Sequence, residues 1–131
     1  MSVVVDSSAI IRMLTASRTL TSASHSAIDG HDIHAPHLID PEVVNAVRRL
    51  VFLRRNSLDD AQLMLDRFAG LDVVRYPHAS LIARVWSLRD NITPYDALYV
   101  ALAERLRIPL ITADSRLVRA AQNVCELRLL E

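Results

Sequence analysis

Four acidic residues stand where a predicted strand ends or a predicted helix begins. Asp6 follows the β-branched run SVVV, and Asp114 follows the apolar strand PLITA. Glu42 and Asp96 each fall in the first turn of a predicted helix. Carboxylates that are buried near one another repel, which raises their pKa values. A divalent cation relieves that repulsion, and carboxylates with water suit Mg²⁺ or Mn²⁺ rather than zinc.

A hard cation held by acids indicates chemistry on phosphate esters. Such a cation lowers the pKa of a bound water and neutralises charge on the phosphoryl oxygens. Each acid alone also has a purely structural explanation, because Asp and Glu in a first helical turn satisfy free N–H groups and complement the helix dipole. Whether the four acids are only helix caps or share one site depends on whether the fold brings them together.

Strands and helices alternate along the whole chain, with no internal repeat and no linker. The predicted strands are Ser2–Val5, Asp32–Pro36, Asp72–Pro77, Pro109–Ala113 and Glu126–Leu130, the last at an edge. The predicted helices are Ser7–Ala16, Thr19–Asp29, Asp40–Arg55 with Asp40 at its cap, Ser57–Gly70, His78–Asp90, one capped by Thr93 and one begun by Asp114. This alternation predicts a parallel sheet covered by helices on both faces, a three-layer α/β domain.

Parallel sheets place their sites at the carboxyl ends of the strands. Strand ends and the helix starts that follow them lie on one edge, so Asp6, Glu42 and Asp114 should share that edge. Asp96 joins them if its helix points its N-terminus the same way. The residues from Ala97 to Ala103 are all apolar or tyrosine, which predicts a helix that protein surrounds on most sides.

Composition excludes several other function classes. The chain has 131 residues and a formal net charge of zero, with arginine as its only long basic side chain. Without lysine, a P-loop or a Schiff base is excluded, and two glycines cannot form a dinucleotide-binding loop. The single cysteine, Cys125, excludes an internal disulfide. No run reaches membrane-spanning length, so we expect a single cytoplasmic domain over 1–131 that does not contact a membrane.

Four segments together resemble the successive motifs of PIN-domain ribonucleases, and most closely the VapC toxins of VapBC toxin–antitoxin modules. They are VVVDSSAII, APHLIDPEVVNAVRR, TPYDALYVALAERL and PLITADSRLVRAA, and they cover nearly the whole chain in order. The resemblance implies a parallel sheet of about five strands. It also implies Mg²⁺- or Mn²⁺-dependent cleavage of an RNA substrate and inhibition by a cognate VapB antitoxin.

The resemblance also assigns residues. The family's acidic positions fall on Asp6, Glu42, Asp96 and Asp114, and the metal is most often assigned to the positions of Asp6 and Asp96. The family's small hydroxyl residues fall on Ser8 and Thr112. Many relatives carry a further acid where this chain has Leu117, which implies a site of four acids. We expect Asp114 to complete the metal's surroundings or to orient the attacking water.

Polar residues near the acids are candidates for RNA contact. Asn45 and Arg49 lie at i+3 and i+7 from Glu42, on the same helical face. Arg12 and Arg116 are close in sequence to Asp6 and Asp114, so both could line an RNA groove, and both could equally be solvated surface charge.

Two apolar segments are candidates for contact with protein partners. The apolar segments Leu50–Leu53 and Leu63–Phe68 predict a homodimer surface, an antitoxin groove, or both. Two other functions remain open, namely a metal-dependent phosphohydrolase that acts on another ester, and a PIN-like binding module without activity.

Overall fold

The computed structural model describes residues 1–16, 28 and 30–131. The predicted helix at Thr19–Asp29 lies outside the described residues, apart from Ile28. The other predicted elements all have a counterpart in the structure.

Five strands form one sheet, in which every pairing is parallel. The strands are β1 Ser2–Val5, β2 Asp32–Pro36, β3 Val73–Tyr76, β4 Leu110–Thr112 and β5 Leu127–Leu129. Their order is β3-β2-β1-β4-β5, so β1 is central and β5 lies at an edge as predicted. The central position of β1 explains its sequence, because a strand covered on both faces is a continuous apolar run.

Helices cover the sheet on both faces, which confirms the predicted three-layer α/β architecture. They are α1 Ser7–Ala16, α2 Ile39–Phe52, α3 Leu58–Ala69, α4 Ile82–Ser87, α5 Pro94–Leu106 and α6 Ser115–Ala121, with a 3₁₀ turn at Ala79–Leu81. Helices α1, α2 and α3 pack against one another, whereas α4 packs against α5, which also contacts β1 and β2. No helix among the described residues is long and apolar enough to span a bilayer.

Two helix starts form as the sequence predicts. Thr93 accepts a hydrogen bond from the Asp96 amide at 3.2 Å, with Pro94 in the first helical position. Ser57 accepts one from the Asp60 amide at 3.1 Å. These bonds satisfy amides that have no partner within the helix. All residues of α5 from Ala97 to Ala103 are buried, so the prediction of a helix surrounded by protein is confirmed.

The start of α2 differs from the prediction. Asp40 does not cap this helix, which begins at Ile39 after Leu38. The Leu38 amide instead donates to His78 Nε2 at 3.0 Å. Asp40 lies in the first turn and accepts two hydrogen bonds of 2.8 Å from Arg75. The local pattern could not reveal this arrangement, because His78 reaches the helix start from a distant segment.

Two further boundaries were predicted wrongly. Helix α2 ends at Phe52 rather than Arg55, and Arg54 adopts a left-handed conformation with a φ of 55°. The predicted His78–Asp90 helix is divided into the 3₁₀ turn and α4.

The two apolar segments proposed as partner surfaces are only partly exposed. Phe52, Leu53 and Leu63 are exposed, whereas Met64 and Phe68 belong to the core. A second exposed apolar area, around Ile82 and Trp86, lies on the other helical layer.

Substitution of Leu110 by alanine is expected to destabilise the fold by about 2–5 kcal/mol, because it opens a cavity around a side chain that is 0 % exposed in β4. Leu58→Ala is the control, because Leu58 is 75 % exposed and its loss should change stability by less than about 0.5 kcal/mol. Urea unfolding measures both. Equal effects of the two substitutions would contradict the assigned core.

Candidate metal and active site

Asp6 is the most buried acid of the candidate site. It follows β1 directly, and its residue is only 5 % exposed. Its Oδ1 accepts hydrogen bonds from Ser8 Oγ at 2.7 Å and from the Ala9 amide at 2.9 Å, so Asp6 caps α1. Its Oδ2 accepts one from Thr112 Oγ1 at 2.5 Å. Because an ionised carboxylate offers about four acceptor positions, one position on Oδ2 remains for a cation or water.

The two hydroxyl residues also connect Asp6 and the start of α1 to the end of β4. Ser8 Oγ accepts from the Ala113 amide at 2.9 Å, and Thr112 Oγ1 accepts from the Asp114 amide at 3.0 Å. Each hydroxyl thus gives its proton to Asp6 and takes one from the backbone that follows β4. This network fixes the end of β4, and with it the start of α6, relative to Asp6.

Glu42 lies in the first turn of α2 and is half-buried. Its Oε1 accepts a hydrogen bond of 2.5 Å from the hydroxyl of Tyr99, a side chain of α5 that is almost fully buried. Burial raises the pKa of Glu42 most, the Tyr99 hydroxyl lowers it, and the charges of Asp96 and Asp6 raise it further. Burial and the Glu42 carboxylate also raise the pKa of Tyr99, so its hydroxyl remains a donor at neutral pH.

Asp96 and Asp114 both lie at helix starts, but only Asp114 caps its helix. Asp114 caps α6, since its Oδ1 accepts from the Arg116 amide at 2.9 Å. Thr93, rather than Asp96, caps α5. Asp96 is half-buried, and burial followed by the charge of Asp114 raises its pKa, against a lowering by the Thr93 hydroxyl.

The four acids influence one another's ionisation. Burial is the main cause that raises the pKa of Asp6, and the charge of Asp96 adds to it. Asp96 also raises the pKa of Glu42, and Asp114 raises that of Asp96. Asp96 is therefore the acid that is electrostatically coupled to the three others. The fold brings these residues to one edge, so capping alone does not account for their positions.

The donor set suits a hard divalent cation. The ion pairs within the described ranges join Arg75 to Asp40, Arg84 to Glu104 and Arg128 to Glu126, and none of them involves a site acid. No preformed cage of three acidic, histidine or cysteine side chains occurs in that part of the chain. A cage is unnecessary for Mg²⁺, which keeps several waters and takes only one or two carboxylates.

The side chains of the other predicted site residues make no hydrogen bond to the four acids within the described ranges, although the Arg116 amide donates to Asp114. Asn45, Arg49 and Arg116 have exposed side chains. Arg12 lines a groove of about 420 Å³ that runs from Ser7 and Ser8 along α1. Leu117, the position at which the resemblance implied a further acid in other chains, is buried at 3 % exposure.

The sequence did not single out Tyr99 as a partner of Glu42. The available signal was a tyrosine on the Asp96 face of an otherwise apolar helix, since a buried hydroxyl needs a hydrogen-bond partner.

Comparison with known proteins identifies the family. The PIN-domain model matches residues 3–123. The chain belongs to the PIN-domain family of VapC ribonucleases. It is 42% identical to Ribonuclease VapC1 of Mycobacterium tuberculosis over 127 residues, or 96% of each chain. It is 38% identical to Ribonuclease VapC9 of the same species over 123 residues, or 94% of each chain.

Two solved structures have the same fold. The VapBC2 crystal structure from Rickettsia felis, bound to a DNA fragment of its promoter, aligns with a TM-score of 0.72 at 13% identity and covers 100% of both chains. PAE2754 from Pyrobaculum aerophilum aligns with a TM-score of 0.66 at 23% identity, over 96% of this chain and 92% of that one.

Asp96→Asn is expected to raise the melting temperature of the metal-free protein at pH 7. Because the folded state raises the pKa of Asp96 above its ordinary value of 3.8, folding disfavours the charged form. Stability from this group is therefore greatest below that value and is lost as pH rises through the folded pKa. The advantage of the variant should disappear as pH falls towards 3.8.

Circular dichroism with EDTA present measures these melting temperatures between pH 4 and pH 7. Asp59→Asn is the matched control, because Asp59 is an exposed acid in the first turn of α3 and loses a similar attraction to a helix N-terminus. A lower melting temperature for Asp96→Asn than for wild type at pH 7 would contradict the inference that folding disfavours the charged form of Asp96.

Proposed function

We propose that this VapC-family chain is the toxin of a type II toxin–antitoxin module and a Mg²⁺- or Mn²⁺-dependent endoribonuclease, acting as a single domain in the cytoplasm. The observation that carries the proposal is the group of four electrostatically coupled carboxylates, which no arginine of the described residues neutralises. The ribonuclease names of its relatives support the same substrate class.

Asp6 and Asp96 are the residues proposed to hold the cation. Asp6 would contact it through Oδ2 alone, because its Oδ1 is already bonded to Ser8 and to the Ala9 amide. When bound, the cation would supply charge neutralisation and a more acidic water. Asp114 completes its surroundings or orients the attacking water. Glu42 supports the metal ligands without touching the ion, or is itself the ligand of a weaker second ion.

The proposed reaction is hydrolysis of an RNA phosphodiester. A water attacks the phosphorus in line, the P–O3′ bond breaks, and the 3′ oxygen takes a proton, leaving 5′-phosphate and 3′-hydroxyl ends. The groove beside Arg12 is proposed to take the RNA strand, with Arg116 and Arg49 as further phosphate contacts and Asn45 as a polar contact. Since the net charge is zero, affinity for generic RNA should be modest and salt-sensitive.

Asp96→Asn is expected to lower RNA cleavage by at least about 100-fold. Mutation of a residue that only orients a metal ligand costs up to about 100-fold, and loss of the ligand itself should cost no less. EDTA should abolish cleavage, and added Mn²⁺ should restore it. Cleavage is measured on total RNA, followed by sequencing of the ends. Asp59→Asn is the control and should cleave at the wild-type rate.

The same assay separates the alternatives. Mn²⁺-dependent hydrolysis of a small phosphomonoester without RNA cleavage would indicate another phosphohydrolase. Absence of Mn²⁺ binding together with absence of cleavage would indicate an inactive binding module. Cleavage that persists at the wild-type rate in Asp96→Asn with Mg²⁺ would contradict the site assignment.

Two exposed apolar surfaces support the proposed protein partners. The first, which we term the Phe52 surface, consists of Val44, Phe52, Leu53, Leu58 and Leu63 on α2 and α3. The exposed arginines 48, 49, 54 and 55 flank it, so we propose that an acidic, amphipathic segment of a VapB antitoxin binds there. The second, termed the Trp86 groove, has a volume of about 380 Å³ between α4 and the start of α5.

We propose that the Trp86 groove packs against a second copy of the chain. Ile82, Val85 and Trp86 form one wall, and Pro94 and Tyr95 form the other. These last two residues immediately precede Asp96, so the homodimer interface would border the active site.

Trp86→Ser is expected to convert a homodimer into a monomer, whereas Phe52→Ser should leave the dimer intact and weaken antitoxin binding. The two side chains are well matched, with exposures of 66 % and 67 % and with an arginine stacked on each ring. Light scattering after size-exclusion chromatography measures the mass. A wild-type mass of one chain would contradict the dimer, and a dimeric Trp86→Ser variant would contradict its location.

A further inference from the structure

Glu42 is held in a position that its electrostatic surroundings disfavour. The charges of Asp96 and Asp6 both repel it, and it is only half-buried. A long carboxylate side chain in that situation lowers its energy by rotating towards solvent, where water screens the repulsion. Something must therefore keep its carboxylate at the site.

Two side chains hydrogen-bond to the Glu42 carboxylate, Tyr99 from α5 and Ser7 from the start of α1, and the Tyr99 hydroxyl makes the larger contribution. It donates to Glu42 Oε1 at 2.5 Å, a short distance typical of a hydrogen bond to an ionised acceptor. The tyrosine residue is 1 % exposed, and all residues of α5 from Ala97 to Ala103 are buried with it. Packing fixes the ring, so the donor cannot follow Glu42 outwards.

The location of Tyr99 links two of the acids. It lies three residues after Asp96 on α5, and residues at this spacing share one helical face. Asp96 and the donor to Glu42 are therefore carried by the same helix. Because an ionised carboxylate offers about four acceptor positions, the bonds from Tyr99 and Ser7 leave room on Glu42 for a cation or a water.

We propose that Tyr99 is a positioning residue, whose hydroxyl fixes the Glu42 carboxylate at a set place relative to Asp96 and so completes the cation-binding edge. The expected change in the rate of RNA cleavage rests on the proposed metal-dependent function. The coupling between Tyr99 and Glu42 does not depend on that function and can be measured without metal.

The test begins with Tyr99→Phe, which removes the hydroxyl and keeps the ring. Mn²⁺ affinity, measured by isothermal titration calorimetry on the full chain, is expected to fall about tenfold, in the range known for residues that orient metal ligands. The kcat for RNA cleavage is expected to fall by a similar factor with KM unchanged.

A double-mutant cycle with Glu42→Gln separates positioning from a general structural role. In the Glu42→Gln background, Tyr99→Phe should cause no further loss of Mn²⁺ affinity, because there is no carboxylate left to hold. Urea unfolding in EDTA, with the same four proteins, should also be non-additive. That measurement remains valid if the protein cleaves no RNA.

Tyr76→Phe is the matched control. Tyr76 lies on β3 and its hydroxyl pairs with His34 Nδ1 at 2.7 Å, a comparable side-chain hydrogen bond outside the acidic site. It should change neither Mn²⁺ affinity nor kcat. Wild-type Mn²⁺ affinity in Tyr99→Phe, or an effect that adds fully to that of Glu42→Gln, would overturn the proposal.

Discussion

Burial of the Asp6 charge is the constraint on which the site depends. A carboxylate placed at the end of a central strand loses most of its hydration, and burial accordingly raises its pKa more than any other cause. Ser8, Thr112 and the Ala9 amide replace part of the lost water. Because these donors come from α1 and from the end of β4, satisfying Asp6 also fixes the two elements that border it.

Helix α5 carries Asp96 and the tyrosine that bonds to Glu42. Its burial on nearly all sides is unusual for a surface layer, and it explains why the helix shows little amphipathic pattern. A helix held so firmly can carry Asp96 into repulsive surroundings without moving away. It also carries Tyr99, whose hydroxyl keeps Glu42 near two acids that repel it. The rigidity of the core is thus what maintains an arrangement of charges that would otherwise disperse.

Much of this arrangement was predictable from local patterns, and the exceptions have a common cause. The position of Asp6 after a β-branched run and of Asp96 after a Thr-Pro start follows from strand periodicity and helix capping, which are local rules. The cap of α2 was predicted wrongly because the helix begins at Ile39, which places Asp40 in its first turn, where it pairs with Arg75 from a strand thirty-five positions away. The Tyr99–Glu42 bond spans 57 positions and likewise has no local signal beyond a tyrosine on an apolar face.

Capping and cation binding make opposite demands on a carboxylate, because each oxygen used for an amide is less available to a metal. Asp6 gives Oδ1 to α1 and to Ser8, and Asp114 gives Oδ1 to the Arg116 amide, so each retains mainly Oδ2. Asp96 is relieved of capping by the Thr93 hydroxyl. The Thr93 hydroxyl still lowers the pKa of Asp96 by hydrogen bonding, but the Asp96 carboxylate caps no helix amide among the described residues. A helix start positions a carboxylate, and a separate cap leaves its oxygens without an amide to satisfy.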